Sequence, residues 1–256
     1  MSDLSTKNNV SMTIFCTLFR GSKFIKGYME DMVRQTIFEQ VKFHILDCAS
    51  PDNEKDVIEP YLDYSNIRYE RLEKDPGLYA GWNICLKNSD TELVGNWNVD
   101  DRKTPWSLEM LRDCFIVDKK IDVAYGLTAI SEKANETWEE ITPFWYYQAE
   151  ELKHWKDLLR NNHPHCMPVW RKSIHDRYGF FNEKYKTAAD SDMWIRAAKA
   201  GAKFHYIKQP IGVYYRNPEG MSSKPENLKR MLEEVNEMRK EHDPEYKPRP
   251  LPKQLV

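Results

Sequence analysis

This chain lacks most of the devices that betray a function at a glance. Its five cysteines, Cys16, Cys48, Cys85, Cys114 and Cys166, never fall at C-x-x-C spacing. That excludes a zinc site built on cysteine pairs and argues against a disulfide framework; they read as small buried hydrophobes. No Gly-rich phosphate loop of the G-x-G-x-x-G or Walker type occurs, and no Ser, His and Asp assemble into a nucleophile-and-base order. No apolar run approaches the roughly 18 residues that a membrane span requires. The opening MSDLSTKNNV has no apolar core, so no secretory signal is expected and the protein reads as cytoplasmic. Charge of one sign is missing too: 38 Lys and Arg stand against 40 Asp and Glu. No global field therefore draws the chain toward nucleic acid or an anionic membrane.

What remains is an ordinary globular composition, 41% hydrophobic and 30% charged over 256 residues, enough for one large domain. No internal repeat is evident. Residues 10–19 (VSMTIFCTLF) read as a buried strand. Arg20-Gly21-Ser22 makes a turn, with Ser22 placed to cap a helix over about 23–36. A second strand, 41–47, ends in Asp47, and a short helix is expected over 53–62. Ile67–Arg71 alternates as a third strand. Pro76 is expected just inside the start of the next helix, which carries Leu78, Trp82, Cys85 and Leu86 on its apolar side. Residues 92–97 form the fourth strand, Thr104-Pro105 opens another helix, and 121–126 is a fifth strand. Strands alternating with helices predict βαβ units in an α/β fold with a mainly parallel central sheet flanked by helices.

Residues 127–165 are rich in Trp, Tyr and Glu, with a helix expected around 148–160. Residues 168–171 read as a strand. Gly179-Phe-Phe-Asn-Glu183 reads as a turn before a helix bearing Asp190 near its start and Gly201 just past its end. Residues 204–207 and 211–215 are expected as two short strands paired across Lys208-Gln209-Pro210. Ser223-Lys-Pro-Glu226 has the form of a capping box and opens an amphipathic helix with Leu228, Met231, Leu232, Val235 and Met238 on one side. From Asp243 the Pro- and Lys-rich tail reads as mobile.

The stretch that organises the chain is Asn96-Trp97-Asn98-Val99-Asp100-Asp101-Arg102-Lys103. Two adjacent carboxylates follow a strand, at the sheet edge where α/β proteins bind ligands. Asp100 and Asp101 would there hold a hard divalent cation, Mg²⁺ or Mn²⁺, and the cation would hold phosphate. Arg102 and Lys103 would neutralise the same phosphates, with Arg171 and Arg216 as further phosphate contacts. The plainer alternative is a solvated acidic turn with basic neighbours. His163 and His165 flank Pro164 and offer a metal pair, although loop histidines are more often simply polar.

Taken in order, Asp47-x-x-Ser50-x-Asp52, Gly81-Trp-Asn83, Asn98-x-Asp100-Asp101, Gly179-Phe-Phe-Asn-Glu183 and Asp190-x-Asp192-x-Trp194-Ile-Arg196 with Gly201 resemble family 2 glycosyltransferases, over about residues 10–223. The resemblance implies the GT-A fold, Rossmann-like with an added C-terminal helix. It divides the chain into a 1–223 domain, with a nucleotide-sugar half (10–126) and an acceptor half (127–223), and an appended helix and tail (224–256). It implies inverting transfer of a sugar from a UDP- or GDP-sugar to a hydroxyl acceptor. Asp47, Ser50 and Asp52 would read the nucleobase, with Asn83, Asn98 and Arg102 completing the donor site. Cys48 stands where many relatives have a second Asp, and Asn98 where the metal motif's first acid would be. Asp100 would be the metal ligand, with Asp101 a ligand or its partner. Asp190 would be the base that removes the acceptor's proton, with Asp192 the runner-up. Trp194 fits core packing better than an acceptor pocket.

Two other classes stay in play. A sugar-nucleotide or glycan-binding module of the same fold would keep the shape without the reaction, and Cys48 and Asn98 favour it. A nucleotidyltransferase would carry a Gly-rich, Arg-containing first loop, whereas Leu18-Phe-Arg-Gly-Ser22 holds one glycine. The acceptor is open: a glycan, a protein or a nucleic-acid base. The C-terminal helix would cover its own domain or dock peripherally on a membrane.

Overall fold

The computed structural model describes residues 10–142, 146–147, 150–221 and 224–248. Its strands are β1 (Met12–Leu18), β2 (Val41–Asp47), β3 (Ile67–Arg71), β4 (Leu93–Asn96), β5 (Arg102–Lys103), β6 (Val123–Ser131), β7 (Tyr146–Tyr147), β8 (Val169–Arg171) and β9 (Phe204–Tyr215). Its α-helices are α1 (Ile25–Val33), α2 (Lys55–Ile58), α3 (Leu78–Asn88), α4 (Ser107–Val117), α5 (Ile174–Tyr178), α6 (Ala189–Lys199) and α7 (Pro225–His242). One sheet of nine strands runs in the order β3-β2-β1-β4-β8-β6-β9-β5, with β7 added beside β6.

Strands β3, β2, β1 and β4 are mutually parallel. Beyond β4 the sheet becomes mixed, because β8 enters antiparallel to both β4 and β6. The order places the site. From the central β1 the chain moves to β2 on one side and later to β4 on the other. Leu18 lies level with Asp47 and Phe15 level with Asn96, so all three strands finish at one edge. The crevice outside such a reversal of strand order is the usual ligand site of an open α/β sheet.

Strand β1 is buried on both faces because helices cover both. Ile14, Cys16 and Leu18 pack with Ile25, Tyr28 and Met32 of α1 and Leu108, Leu111 and Phe115 of α4. Phe15, pointing the other way, packs with Trp82 of α3 and Trp170 of β8. Trp194 is fully buried in that second core, which settles it as packing; truncating such a ring costs ~3–5 kcal/mol.

The departures from the sequence reading have local causes. Helix α1 is shorter than expected and Ser22 does not cap it; its N-terminal flank, Phe24, makes no side-chain cap bond. Helix α3 begins after Gly77, whose φ of +85° suits glycine, so Pro76 lies outside it. Among the described residues of 148–160 the helical element is a short 3₁₀ turn, Trp155–Leu159, opened by His154 and Asp157 in a reciprocal cap. Residues 204–215 are one strand. Pro210 has no N–H to give a ladder, and it sits where the register against β6 slips, Gly126 facing Ile207 and Leu127 facing Pro210. The chain bulges there and continues. The Ser223 capping box lies outside the described residues. The tail begins anchored: Asp243 pairs with Lys156 at 2.8 Å and Tyr246 packs on the second core. Helix α7 lies on its own domain, where Met238 is buried and Val235 packs in the same cluster.

Candidate active site

The corner beyond β2 is a hydrogen-bonded knot. Asp47, 1% exposed, accepts the Ser50 N–H on Oδ1 at 2.8 Å. On Oδ2 it accepts the Tyr69 hydroxyl at 2.6 Å and the Arg71 guanidinium. Arg71 also donates to the Ser50 carbonyl at 2.9 Å. The Ser50 hydroxyl donates to Glu54 at 2.7 Å and accepts the Arg20 N–H at 2.9 Å. Glu54 accepts the Gly21 N–H at 2.7 Å, and Asp52 accepts the Ser22 N–H at 3.4 Å. The turn after β2 is thus laced to the turn after β1, where Arg20 holds a left-handed φ of +52°. Ser50 is the fastener of this lacing. Cys48 is buried with Tyr79 and Trp82 of α3. Tyr69 and Asp52 are half-buried and Arg71 is exposed, with Asp47 holding both Tyr69 and Arg71.

Across β1, the turn after β4 splits its two acids. Asp101 is wholly buried. Its Oδ1 accepts the Tyr215 N–H at 3.2 Å, its Oδ2 the Asn98 amide at 3.1 Å, and its carbonyl the Trp97 indole N–H at 3.0 Å. Burial, with Asp100 adding to it, pushes its carboxyl well above the usual range. Asp101 thus ties Asn98 to the end of β9, the geometry of the partner role rather than of a direct ligand. Asp100 is only partly covered. It accepts the Asn217 amide on Oδ2 at 3.1 Å, and burial pushes its carboxyl up.

The basic pair is corrected as well. Arg102 is buried and forks onto Asp31 of α1, Nε to Oδ2 at 2.6 Å and Nη2 to Oδ1 at 2.8 Å, with Nη1 on the Asn135 carbonyl at 3.0 Å. A guanidinium so committed has no fork left for phosphate. The Lys103 amine is buried over the Trp97 ring. Arg171 stands level with Leu93, at the opposite edge of the sheet from the acids. There it binds the carbonyls of Ile121 and Lys119. Arg216 pairs with Glu132 at 3.2 Å.

The third element is the start of α6. Asp190 is in its first turn. Its Oδ1 accepts the Tyr79 hydroxyl at 3.0 Å and the Ser191 N–H at 2.8 Å; its Oδ2 accepts the Asn162 amide at 2.6 Å. Burial pushes its carboxyl up against those bonds. Asp192, 5% exposed, binds Arg196 and His242, both at 2.9 Å. Burial would raise it, but His242 and Arg196 outweigh that and hold it below the usual range. Asn83 is spent on the turn before α6, donating to the Phe181 carbonyl at 2.9 Å and Glu183 at 2.8 Å while accepting the Phe181 N–H at 3.1 Å. It is thereby removed from the expected donor set. The segment before β8 links the two acidic turns: Asn162 holds Asp190, and the Cys166 carbonyl accepts the Asn96 amide at 3.0 Å. His163 faces the Glu150 carbonyl, and His165 packs on Tyr214; among the described residues no His/Cys/Asp/Glu cluster of three forms a metal site.

The model for glycosyl transferase family 2 matches residues 13–178. The chain belongs to that family. No curated protein sequence matches it significantly. Among solved structures, a family 2 chain of this shape is similar to residues 1–349 of TarS from S. aureus in complex with UDP. That likeness has a TM-score of 0.68 at 16% identity and covers 89% of this chain and 65% of that one. The TarS complex with UDP-GlcNAc matches with a TM-score of 0.70 at 16% identity, over 89% and 66% of the two chains. The mannosyltransferase PcManGT from Pyrobaculum calidifontis, in complex with GDP-Man and Mn²⁺, matches with a TM-score of 0.66 at 12% identity, over 95% and 67%. This chain therefore spans about two thirds of the TarS portion it matches. At such identities the likeness establishes the fold.

The residues that could hold a cation here are few. Mg²⁺-type sites commonly take one or two carboxylates and complete their shell with phosphate and water. Asp100 could offer one carboxylate, since only its Oδ2 bond to Asn217 is seen, and Asn98, whose amide N–H is turned to Asp101, could offer its carbonyl oxygen. Sequence reasoning missed Tyr69, Arg71, Glu54, Asp31, Tyr79, Asn162 and Asn217. Each meets a partner across 22 to 117 residues of chain, and no local spacing announces it.

Proposed function

We propose that this enzyme transfers a sugar from a nucleoside diphosphate donor to an acceptor hydroxyl with inversion, in the building of a glycan. The observation that carries the reading is Asp190: a carboxylate in the first turn of a helix, raised by burial and held from both sides. A base of raised pKa is better matched to taking a hydroxyl proton near neutral pH. The acceptor oxygen bonds to the anomeric carbon as its proton passes to Asp190, and the bond from that carbon to the diphosphate breaks with its electron pair. Asp100 and the Asn98 carbonyl would hold Mg²⁺ or Mn²⁺, which when bound offsets charge on the departing diphosphate. Tyr69 and Arg71, aimed by Asp47, take the nucleobase, as UDP or GDP. Residues 10–126 serve the donor and 127–223 the acceptor.

Calorimetry with UDP and with GDP, with and without Mn²⁺, tests this on wild type and Asp100→Ala. The expected result is metal-dependent binding of one of the two, weakened in the variant. Absence of binding to both by the folded protein with metal present overturns the donor site. Released pyrophosphate in place of nucleoside diphosphate would move the enzyme to nucleotidyl transfer.

A further inference from the structure

The contacts around Asp190 leave less freedom than a base needs for an arbitrary approach. A carboxylate offers about four acceptor sites, two on each oxygen. On Oδ1 both are taken, by the Tyr79 hydroxyl at 3.0 Å and the Ser191 N–H at 2.8 Å. On Oδ2 one is taken, by the Asn162 amide at 2.6 Å. The donors come from unrelated parts of the chain: Tyr79 from the first turn of α3, in the nucleotide-binding half, and Asn162 from the segment leading to β8. Backbone held at 188–191 by α6 supplies the third. Tyr79 is itself buried and fixed by aromatic contacts to Trp82 and Phe181.

We infer that Tyr79 and Asn162 are positioning residues for the base, and that they select Asp190 Oδ2 as the atom that receives the acceptor's proton. The inference rests on the transferase reading given above. Its chemistry is simple. Among the described residues, donors from Tyr79, Asn162 and the Ser191 N–H fix the carboxylate plane, and the acceptor hydroxyl meets the lone pair they leave on Oδ2. The proton passes there as the new bond to the anomeric carbon forms and the diphosphate leaves with its electron pair. Both residues also link the base to its surroundings: α3 on the donor side and the 150–166 segment on the acceptor side must both be in place before Asp190 is aimed. Other charged groups nearby are already engaged. Glu234 of α7 accepts the Lys186 and Thr187 N–H groups, and Asp192, on the same helix, is paired with Arg196 and His242.

The experiment is a carboxyl ¹³C titration of aspartate-labelled full-length protein, with the Asp190 signal assigned by its loss in Asp190→Asn. Tyr79→Phe and Asn162→Ala each remove one donor to the ionised form, so the Asp190 midpoint is expected to rise in both, by roughly half to one pH unit. Melting temperatures measured alongside confirm that each variant is folded. Unmoved midpoints in both folded variants overturn the inference. The same variants are assayed for Mn²⁺-dependent release of UDP from UDP-GlcNAc and of GDP from GDP-mannose, with water as acceptor. Turnover is expected to fall about tenfold or more, with donor KM nearly unchanged and the acid limb of the pH profile moved upward in step with the titration. Asp190→Asn with wild-type turnover would instead sink the base assignment. A shifted titration without any donor turnover would leave the clamp standing and remove the transferase reading, so the two failures are distinguishable.

Discussion

Two regions of this molecule pose the same problem and solve it alike. The turn after β4 carries Asp100 and Asp101; the first turn of α6 carries Asp190 and Asp192. In each, one acid is sunk and given structural partners, and the other is left with acceptor capacity. Asp101 spends both oxygens on Asn98 and Tyr215. Asp192 spends its two on Arg196 and His242. Asp100 and Asp190 keep lone pairs for something else. The sunk acids differ in one respect. Asp192 has the Arg196 guanidinium and the His242 ring as partners and is held low, whereas Asp101 has neutral donors and is driven high. The lesson is that an acidic pair in a sequence names a site but not the working acid, because that depends on which carboxylate the tertiary structure has already satisfied.

The largest test of this division is turnover at α6. Asp190→Asn is expected to lower kcat roughly a hundred- to ten-thousand-fold, the range that a positioned general base contributes. Asp192→Asn should retain turnover once its lower stability is allowed for. If Asp192→Asn abolished turnover in a folded protein and Asp190→Asn did not, the two roles would be exchanged.

Stability reverses the order. Asp192→Asn leaves Arg196 without its counter-charge, and breaking such a buried pair costs about 3 kcal/mol. The sign with pH follows from its carboxyl being held below the usual range. The stabilisation is fully present above the unfolded value, near 3.9 for Asp, and is lost as pH falls through the lower folded value. Chemical denaturation should therefore separate the variant from wild type at pH 7 and bring the two curves together at strongly acid pH. A separation that persists unchanged into acid would mean that packing, not charge, is what Asp192 contributes.

At the other turn, Asp100→Asn is expected to weaken Mn²⁺-dependent nucleotide binding about tenfold to a hundredfold, as a lost metal contact does. Asp101→Asn places an amide against the donors from Tyr215 or Asn98, so its loss should appear as about 1–3 kcal/mol of stability, with Mn²⁺-dependent nucleotide binding kept. Equal losses of affinity in both would return Asp101 to the metal.

The elements of the sheet were legible because β1, β2 and β3 carry period-2 or continuous apolar patterns, and α6 ends on Gly201 at a φ of +90°. The place of Asp190 at the start of α6 was legible for the same reason; its expected role as base came from the family resemblance alone. Pro210 was misread as a turn because a bulge beside β6 and a hairpin both accept proline. Arg102 was misread because nothing near it in sequence reveals Asp31, 71 residues away. Tyr79 and Asn162 were invisible for the same cause. Long-range pairing decides which polar residues are spent, and a single sequence records only that they are polar.

The smallest expected effect concerns the neighbour of these turns that has the fewest partners. The Lys103 amine is 4% exposed and has no hydrogen-bond partner among the described residues. It lies 5.4 Å over the Trp97 ring, an attraction that offsets part of its desolvation. Burial pushes it down to about 8, against the ordinary 10.5. The unfolded chain therefore binds the proton more tightly than the folded one, and wild-type stability should rise with pH between those two values. Lys103→Met keeps the length of the side chain and removes the unsatisfied donor. It is expected to stabilise the fold by about 1 kcal/mol at pH 7, with the advantage shrinking as pH climbs from about 8 toward 10.5. Denaturation midpoints at three pH values check it. A variant less stable than wild type at pH 7 would show that the amine's attraction to Trp97 and Asp101 outweighs its burial, and that this turn holds its lysine as firmly as it holds Asp101.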